Sequence, residues 1–230
     1  MAGRRQVNIM KRIPLVITTL IAGLGSVFLG PLVPGALLAG EWEYRARMEF
    51  TGPVEEHLAI RMMSEVRSES GFHSHKESHF DLGLEWGPRE WLGIAPYYRN
   101  VTLKKGSVWV VEHRPHLNLT LKWSALGMRF SDRSRVEYRM IESTRRVRYR
   151  NRLMAALPPV LFSRLSPHVS TEPYYDFDAG QLNKNRLIAG FDLRLRGPAS
   201  VKIEYVLDSV KQADRWHDVN SVLVALKYRP

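Results

Sequence analysis

Cysteine is absent from all 230 residues, which excludes disulfides, thiolate metal sites and cysteine nucleophiles. Acidic residues are missing from the first 40 positions, where Arg4, Arg5, Lys11 and Arg12 are the charged side chains. Repeats of roughly 20 to 50 residues and low-complexity tracts are also missing, which removes solenoids and propellers. Neither a basic helix nor a Gly-rich phosphate loop accompanies the net charge of +11 and the pI of about 10.1. Without residues 1–40 the chain holds 30 basic and 23 acidic residues, a net charge of about +7. Most of those bases alternate with apolar residues, so nucleic acid is not an expected partner.

What is present at the N-terminus is export chemistry. The basic pair Lys11-Arg12 precedes an uncharged stretch that opens Ile13-Pro14-Leu15-Val16-Ile17 and passes into small residues. That order reads as a secretory signal over residues 1–40, cut near Ala39 or Gly40, with Met1 or Met10 as the start. The competing reading is an uncleaved inner-membrane helix over Ile13 to Gly30, because Pro31 and Pro34 interrupt anything longer. It would anchor a periplasmic β-sandwich.

From Glu41 onward the dominant signal has a period of two. Trp42, Tyr44, Ala46, Met48 and Phe50 alternate with Glu41, Glu43, Arg45, Arg47 and Glu49. A strand sends those sets to opposite faces, whereas a helix scatters both around its axis. The pattern recurs: Leu58, Ile60, Phe80, Leu82 and Leu84 oppose His57, Arg61, His79, Asp81 and Glu85, and Leu117, Leu119 and Leu121 oppose His116, Asn118 and Lys122. Farther on, Leu187, Ala189 and Phe191 oppose Arg186 and Asp192, and Val201, Ile203 and Tyr205 oppose Lys202 and Glu204. Hydrophobic residues make up 44% of the chain and its mean hydropathy is −0.26, values that average the alternation away. Runs this long suit a tilted bilayer-spanning strand. We therefore expect an all-β fold, an antiparallel transmembrane β-barrel of about 10–12 strands over residues 41–230. Leu58, Ile60, Phe80, Leu82 and Leu84 should face lipid, while Asp81 beside them should tolerate change.

Turn residues divide the strands. Short connections are expected at Thr51 to Val54, Gly87 to Arg89, Ser124 to Gly127 and Gly197 to Ala199, and longer outer loops at Ser68 to Lys76, Thr102 to Glu112, Asp178 to Asn183 and Ser209 to Asn220. Trp86, Trp91 and Trp123 would form one aromatic girdle, and Tyr98, Tyr138, Tyr149, Tyr175 and Phe177 the other. Eleven segments are countable, one off the even number usual in single-chain bacterial barrels. Pro96, in mid-strand, implies a bulge.

Several stretches together carry a family resemblance: Glu90-Trp91-Leu92 through Tyr97-Tyr98-Arg99, Glu112-His113-Arg114-Pro115, Arg133 to Arg139, Arg148 to Leu153, and Tyr174-Tyr175-Asp176-Phe177 followed by Asn185-Arg186-Leu187. Their order and spacing over nearly all of residues 41–230 resemble an outer-membrane barrel family catalogued as domain of unknown function 2490. The resemblance implies a bacterial outer-membrane barrel, with membrane lipids and the barrel-assembly machinery as partners, and implies no activity. The family's last strand tends to end on an aromatic residue. Here Tyr228 stands two residues earlier.

Three constellations carry candidate chemistry. His73, His75 and His79 share strand parity with Glu77 and Asp81 and are weak candidates for zinc against the reading of an exposed loop. We expect neither a metal nor another cofactor. His113, His116 or His168 with Ser131, Ser166 or Ser170 would serve a lipid-modifying hydrolase if neighbouring strands brought base and nucleophile together. The third is a lane of Arg133, Arg135, Glu137, Arg139, Arg146, Arg148, Arg150 and Arg152 on two strands that should pair as a hairpin, with Arg186 on the same parity. Glu137, Glu172, Asp176, Asp192 and Glu204 could neutralise those bases and fill the lumen, giving a structural barrel or a narrow, largely plugged pore.

Overall fold

Residues of two-faced character can bury an ionic row only if the sheet curls so that this row faces itself, and the chain does so. The computed structural model describes residues 41–69, 74–160, 164–213 and 215–230, and the expected signal segment and His73 lie outside them. Eleven strands follow in order: β1 (Glu41–Glu55), β2 (Leu58–Glu69), β3 (Ser74–Arg89), β4 (Leu92–Lys105), β5 (Val108–Ala125), β6 (Met128–Ile141), β7 (Thr144–Ala156), β8 (Leu165–Asp176), β9 (Gln181–Arg194), β10 (Ala199–Gln212) and β11 (Arg215–Tyr228). Each pairs with the next, antiparallel, and β1 meets β11 to close a barrel.

Because eleven is odd, β1 and β11 run the same way, and the closing seam is parallel, from Glu41↔Val219 to Phe50↔Tyr228. Parallel pairs are slightly less stable per residue, so side chains that cross the seam matter. Arg45 of β1 does this from inside, donating to Ser221 Oγ of β11 at 2.8 Å and to Asp208 Oδ2 of β10 at 2.7 Å.

Burial is inverted relative to a water-soluble core. Phe80, Leu82, Leu84, Leu117, Leu119, Leu121, Val136 and Leu187 are exposed on the outer wall, while Glu65, Asp81, Glu112, Glu137, Glu172 and Asp208 are buried inside. Inward-facing Ile188, Val206, Leu223 and Ala225 supply a smaller apolar patch on β9–β11. Asp81 is not the tolerant position that alternation alone suggests. Its carboxylate takes a bidentate pair of hydrogen bonds from Arg99 Nε and Nη2, at 2.6 and 2.7 Å, and is buried.

The loop asymmetry read from the turn residues is incorrect. Thr102 to Glu112 is strand on both sides of a two-residue turn at Gly106 and Ser107, because Leu103↔Val110 and Lys105↔Val108 keep pairing until the left-handed Gly106 reverses the chain. Thr51 to Val54 lies within β1, whose turn is Glu56 and His57, and Ser209 to Asn220 pairs nearly throughout as the ends of β10 and β11. The longest connection, 157–164, sits at the end that holds the turns 56–57, 90–91 and 126–127, the end where β11 finishes; we call it the far end. Pro96 does not produce a bulge either. The β3–β4 register is unchanged from Gly83↔Tyr97 to Trp86↔Ile94, and the rungs between are simply missing where Pro96 has no N–H to give, while Pro96↔Leu117 stays in register with β5.

Gly190 occupies an inward position between His168 and Glu204 on the flanking strands. A Cβ there would lie 2.3 Å from the carbonyl oxygen of Ile203, and backbone cannot step aside as a side-chain tip can. Gly190→Ala is therefore expected to cost about 1 to 3 kcal/mol by overpacking. Gly93→Ala, which would meet nothing closer than 3.8 Å, should stay within about 0.5 kcal/mol of the parent. Urea titration of the refolded barrel measures both.

Candidate functional site

The lumen is crossed by carboxylates that each gather several cations. β6 and β7 pair as a hairpin through the turn Glu142–Ser143, which sets Arg133 opposite Arg152, Arg135 opposite Arg150 and Arg139 opposite Arg146. Glu137, fully buried, sits among them opposite Arg148 and accepts from its Nε and Nη2 at 2.9 and 2.6 Å, with Arg135 Nη1 at 3.4 Å and Arg150 Nη1 at 3.3 Å. Glu172 of β8 takes Arg133 at 2.8 Å and Arg150 at 3.4 Å, has Arg186 at 3.8 Å, and accepts the Tyr174 hydroxyl at 3.0 Å. The Tyr174 ring in turn lies under Arg148, Arg150, Lys184 and Arg186, with each cation 4.8 to 5.7 Å from its centroid.

Two further hubs escaped the sequence reading. Glu112 of β5 accepts from Arg139 Nε and Nη2, at 2.6 and 3.0 Å, and from Arg114 Nε at 2.8 Å. Asp208 of β10 accepts from Arg186 Nε and Nη2, at 2.6 and 2.9 Å, from Arg45 at 2.7 Å and from Lys184 at 3.0 Å. Glu112 was legible as the partner in alternation of Arg114 and His116, but the turn reading assigned it to a loop. Arg152 donates to Ser170 at 3.1 Å and stands 3.8 Å from Glu204.

Two residues of the expected lining do other work. Asp176 does not meet an arginine: it caps its own turn, accepting the backbone N–H groups of Asp178 and Ala179 at 3.0 and 3.2 Å and Asn183 Nδ2 at 3.1 Å. Arg146 is exposed near the mouth of β7 and makes no ion pair among the described residues.

The histidines do not assemble the chemistry considered for them. A register shift at Arg67/Ser68 pairs Glu77 with Arg67 and His75 with Ser68, inserting Lys76 as an extra residue. His75 stacks on the exposed Trp109 at 5.0 Å, whereas buried His79 lies 3.5 Å from Glu77, so the bulge breaks their common parity. Among the described residues no group of three or more His, Asp or Glu side chains converges in a metal-binding arrangement. His113 is on the outer wall against Tyr98 and Asn100, and His116 stacks on Tyr97 at 5.1 Å. His168 places Nε2 at 2.8 Å from Glu204 and Nδ1 at 3.7 Å from Asp192, crossing above Gly190, so both ring nitrogens face carboxylates instead of Ser166 or Ser170.

Beyond His168 the lumen widens into a far-end chamber of about 760 Å³. The ion-paired arginines and carboxylates lie between this chamber and the opposite end of the strands. Removing one hub should expose its dependence on neutralisation: Glu137→Gln leaves three arginines without their shared carboxylate and is expected to cost about 3 to 5 kcal/mol. Asp176→Asn, which alters a turn cap, should cost about 1 kcal/mol. Equal losses in urea titrations of the two variants would contradict the assignment of Glu137 as a hub.

No curated protein matches the sequence. Among solved structures, "LpxR from Salmonella typhimurium" is similar in fold with a TM-score of 0.45 and 8% identity, covering 75% of this chain and 83% of that one. Residues 46–219, most of the barrel, match the family described as "Protein of unknown function (DUF2490)", and the chain belongs to that family.

Proposed function

We propose that the protein is a bacterial outer-membrane β-barrel whose lumen is blocked by its own ionic core, a structural barrel with no through-conductance. The observation that carries this reading is the joint inversion of the two faces: an apolar outer wall in a closed sheet, and charges inside that are paired with one another. Apolar side chains exposed all along several strands need an apolar surrounding, and closure leaves no unpaired strand edge in it.

The dimensions agree with a bilayer. Trp109 and Trp123 lie toward opposite ends of β5 and both are exposed on the outer wall. Fourteen residues separate them. At about 3.4 Å per residue and a tilt of about 40°, they are about 36 Å apart along the barrel axis, slightly more than a hydrocarbon core of about 30 Å. Trp86, Trp91, Phe130 and Tyr228 extend the far-end girdle, and Trp216 and Phe177 the opposite one.

Blocking follows from charge arithmetic at close range. Arginines on adjacent strands repel unless carboxylates stand between them, and here Glu112, Glu137, Glu172 and Asp208 each bind two or more. Long side chains held in such pairs fill a barrel of this strand number. Planar-bilayer recordings of the refolded protein test the proposal: a quiet baseline with no stable steps is expected. Large, sustained conductance steps would overturn it.

A further inference from the structure

The cations of the lumen fall into two populations. In the middle, Arg133, Arg139, Arg148, Arg150 and Arg186 each have a carboxylate within 4.0 Å. The far-end chamber is lined by six more, Lys122, Arg129, Arg164, Arg194, Lys202 and Lys227, against Asp192 and Glu90. Lys227 pairs with Asp192 at 2.5 Å and Lys202 with Glu204 at 2.9 Å, which leaves Glu90 as the one lining acid without an ion pair among the described residues. Lys122, Arg129, Arg164 and Arg194 make no ion pair among the described residues.

Four cations without an ion pair around one chamber, where the arginines of the middle each have a carboxylate within reach, form a focused positive field. They are brought there by β5, β6, the connection before β8, and β9, and all four are exposed, so the field comes from several walls of an open chamber. Three of the four are arginines, whose planar forks match phosphate oxygens with paired hydrogen bonds. The volume of about 760 Å³ lies within the range of small-molecule sites. Ser131, Ser166 and Ser200 add neutral hydroxyl donors to the same lining.

We infer that the far-end chamber is a binding site for a polyanionic, phosphate-bearing ligand, held by Arg129, Arg164, Arg194 and Lys122. The same chemistry occurs in a free oligophosphate and in an anionic lipid headgroup. The site does not depend on whether the lumen conducts, since it lies on one side of the central network.

The test is calorimetric titration of the refolded protein in an uncharged detergent with inorganic pyrophosphate, short-chain phosphatidic acid and short-chain phosphatidylcholine. Saturable binding of pyrophosphate or phosphatidic acid, weakening as salt rises and absent for phosphatidylcholine, is the expected result. Binding of both phosphates identifies the phosphate group itself as the determinant, and binding of phosphatidic acid alone identifies a lipid headgroup. Arg129→Gln/Arg194→Gln should weaken binding at least about tenfold. Lys122→Gln/Arg164→Gln is a second, independent pair with the same expectation, and Lys105→Gln, exposed at the opposite end, should leave binding unchanged. Retained heat-modifiable gel mobility verifies folding of each variant. Absence of saturable binding at low salt, or binding that survives both double substitutions, would overturn the inference.

Discussion

The constraint on which the rest of this barrel depends is mutual neutralisation inside the lumen. A carboxylate such as Glu137, with none of its surface exposed, has lost its hydration and persists as an ion because Arg135, Arg148 and Arg150 surround it. The arginines have the reciprocal need. This requirement fixes the register, since a slip of one residue on β6 or β7 would send every charge of that strand to the outer wall and every valine and tyrosine inward. It also ties together strands far apart in sequence, most visibly at the parallel seam, where Arg45 holds β1 to Asp208 and Ser221.

Neutralisation is uneven along the axis, and that unevenness divides the lumen into an ion-paired middle and a basic far end. The middle is locked by hubs on β5, β6, β8 and β10, with the Tyr174 ring serving as a second platform for the cations that Glu172 and Glu137 collect. Toward the far end the acids run out before the bases do. An ion-paired centre and a basic chamber are thus consequences of one distribution of charge, in which acids cluster where arginine rows face each other.

Much of this was legible in the sequence because period-two alternation is a local property. The alternation of Glu41 to Phe50 assigned the first ten residues of β1 to their faces, and the arginine lane of Arg133 to Arg152 predicted the β6–β7 hairpin. What remained illegible depends on contacts between strands. Thr102 to Glu112 looks loop-like by its lysines and Gly106, yet cross-strand pairing carries the strands to the glycine. Asp176 has the parity of a lumen acid, but it lies at a strand end where backbone N–H groups of the turn compete for it. The bulge at Lys76 that separates His75 from His79 leaves no mark in composition. The far-end chamber is drawn from every strand from β5 to β11, together with the turn at Glu90 and Trp91 and with Arg164, so no contiguous motif announces it.

The central claim, that this sheet is ionic within and lipid-facing without, is tested most directly by the depth-independent alternation of its wall. The absence of native cysteine allows single cysteines to be placed in turn at residues 116 to 121 of β5, labelled with a small fluorophore and quenched by brominated lipid after refolding into vesicles. The account predicts strong quenching at Leu117, Leu119 and Leu121 and little at His116, Asn118 and Thr120. Uniform quenching, or quenching with the phases exchanged, would contradict it.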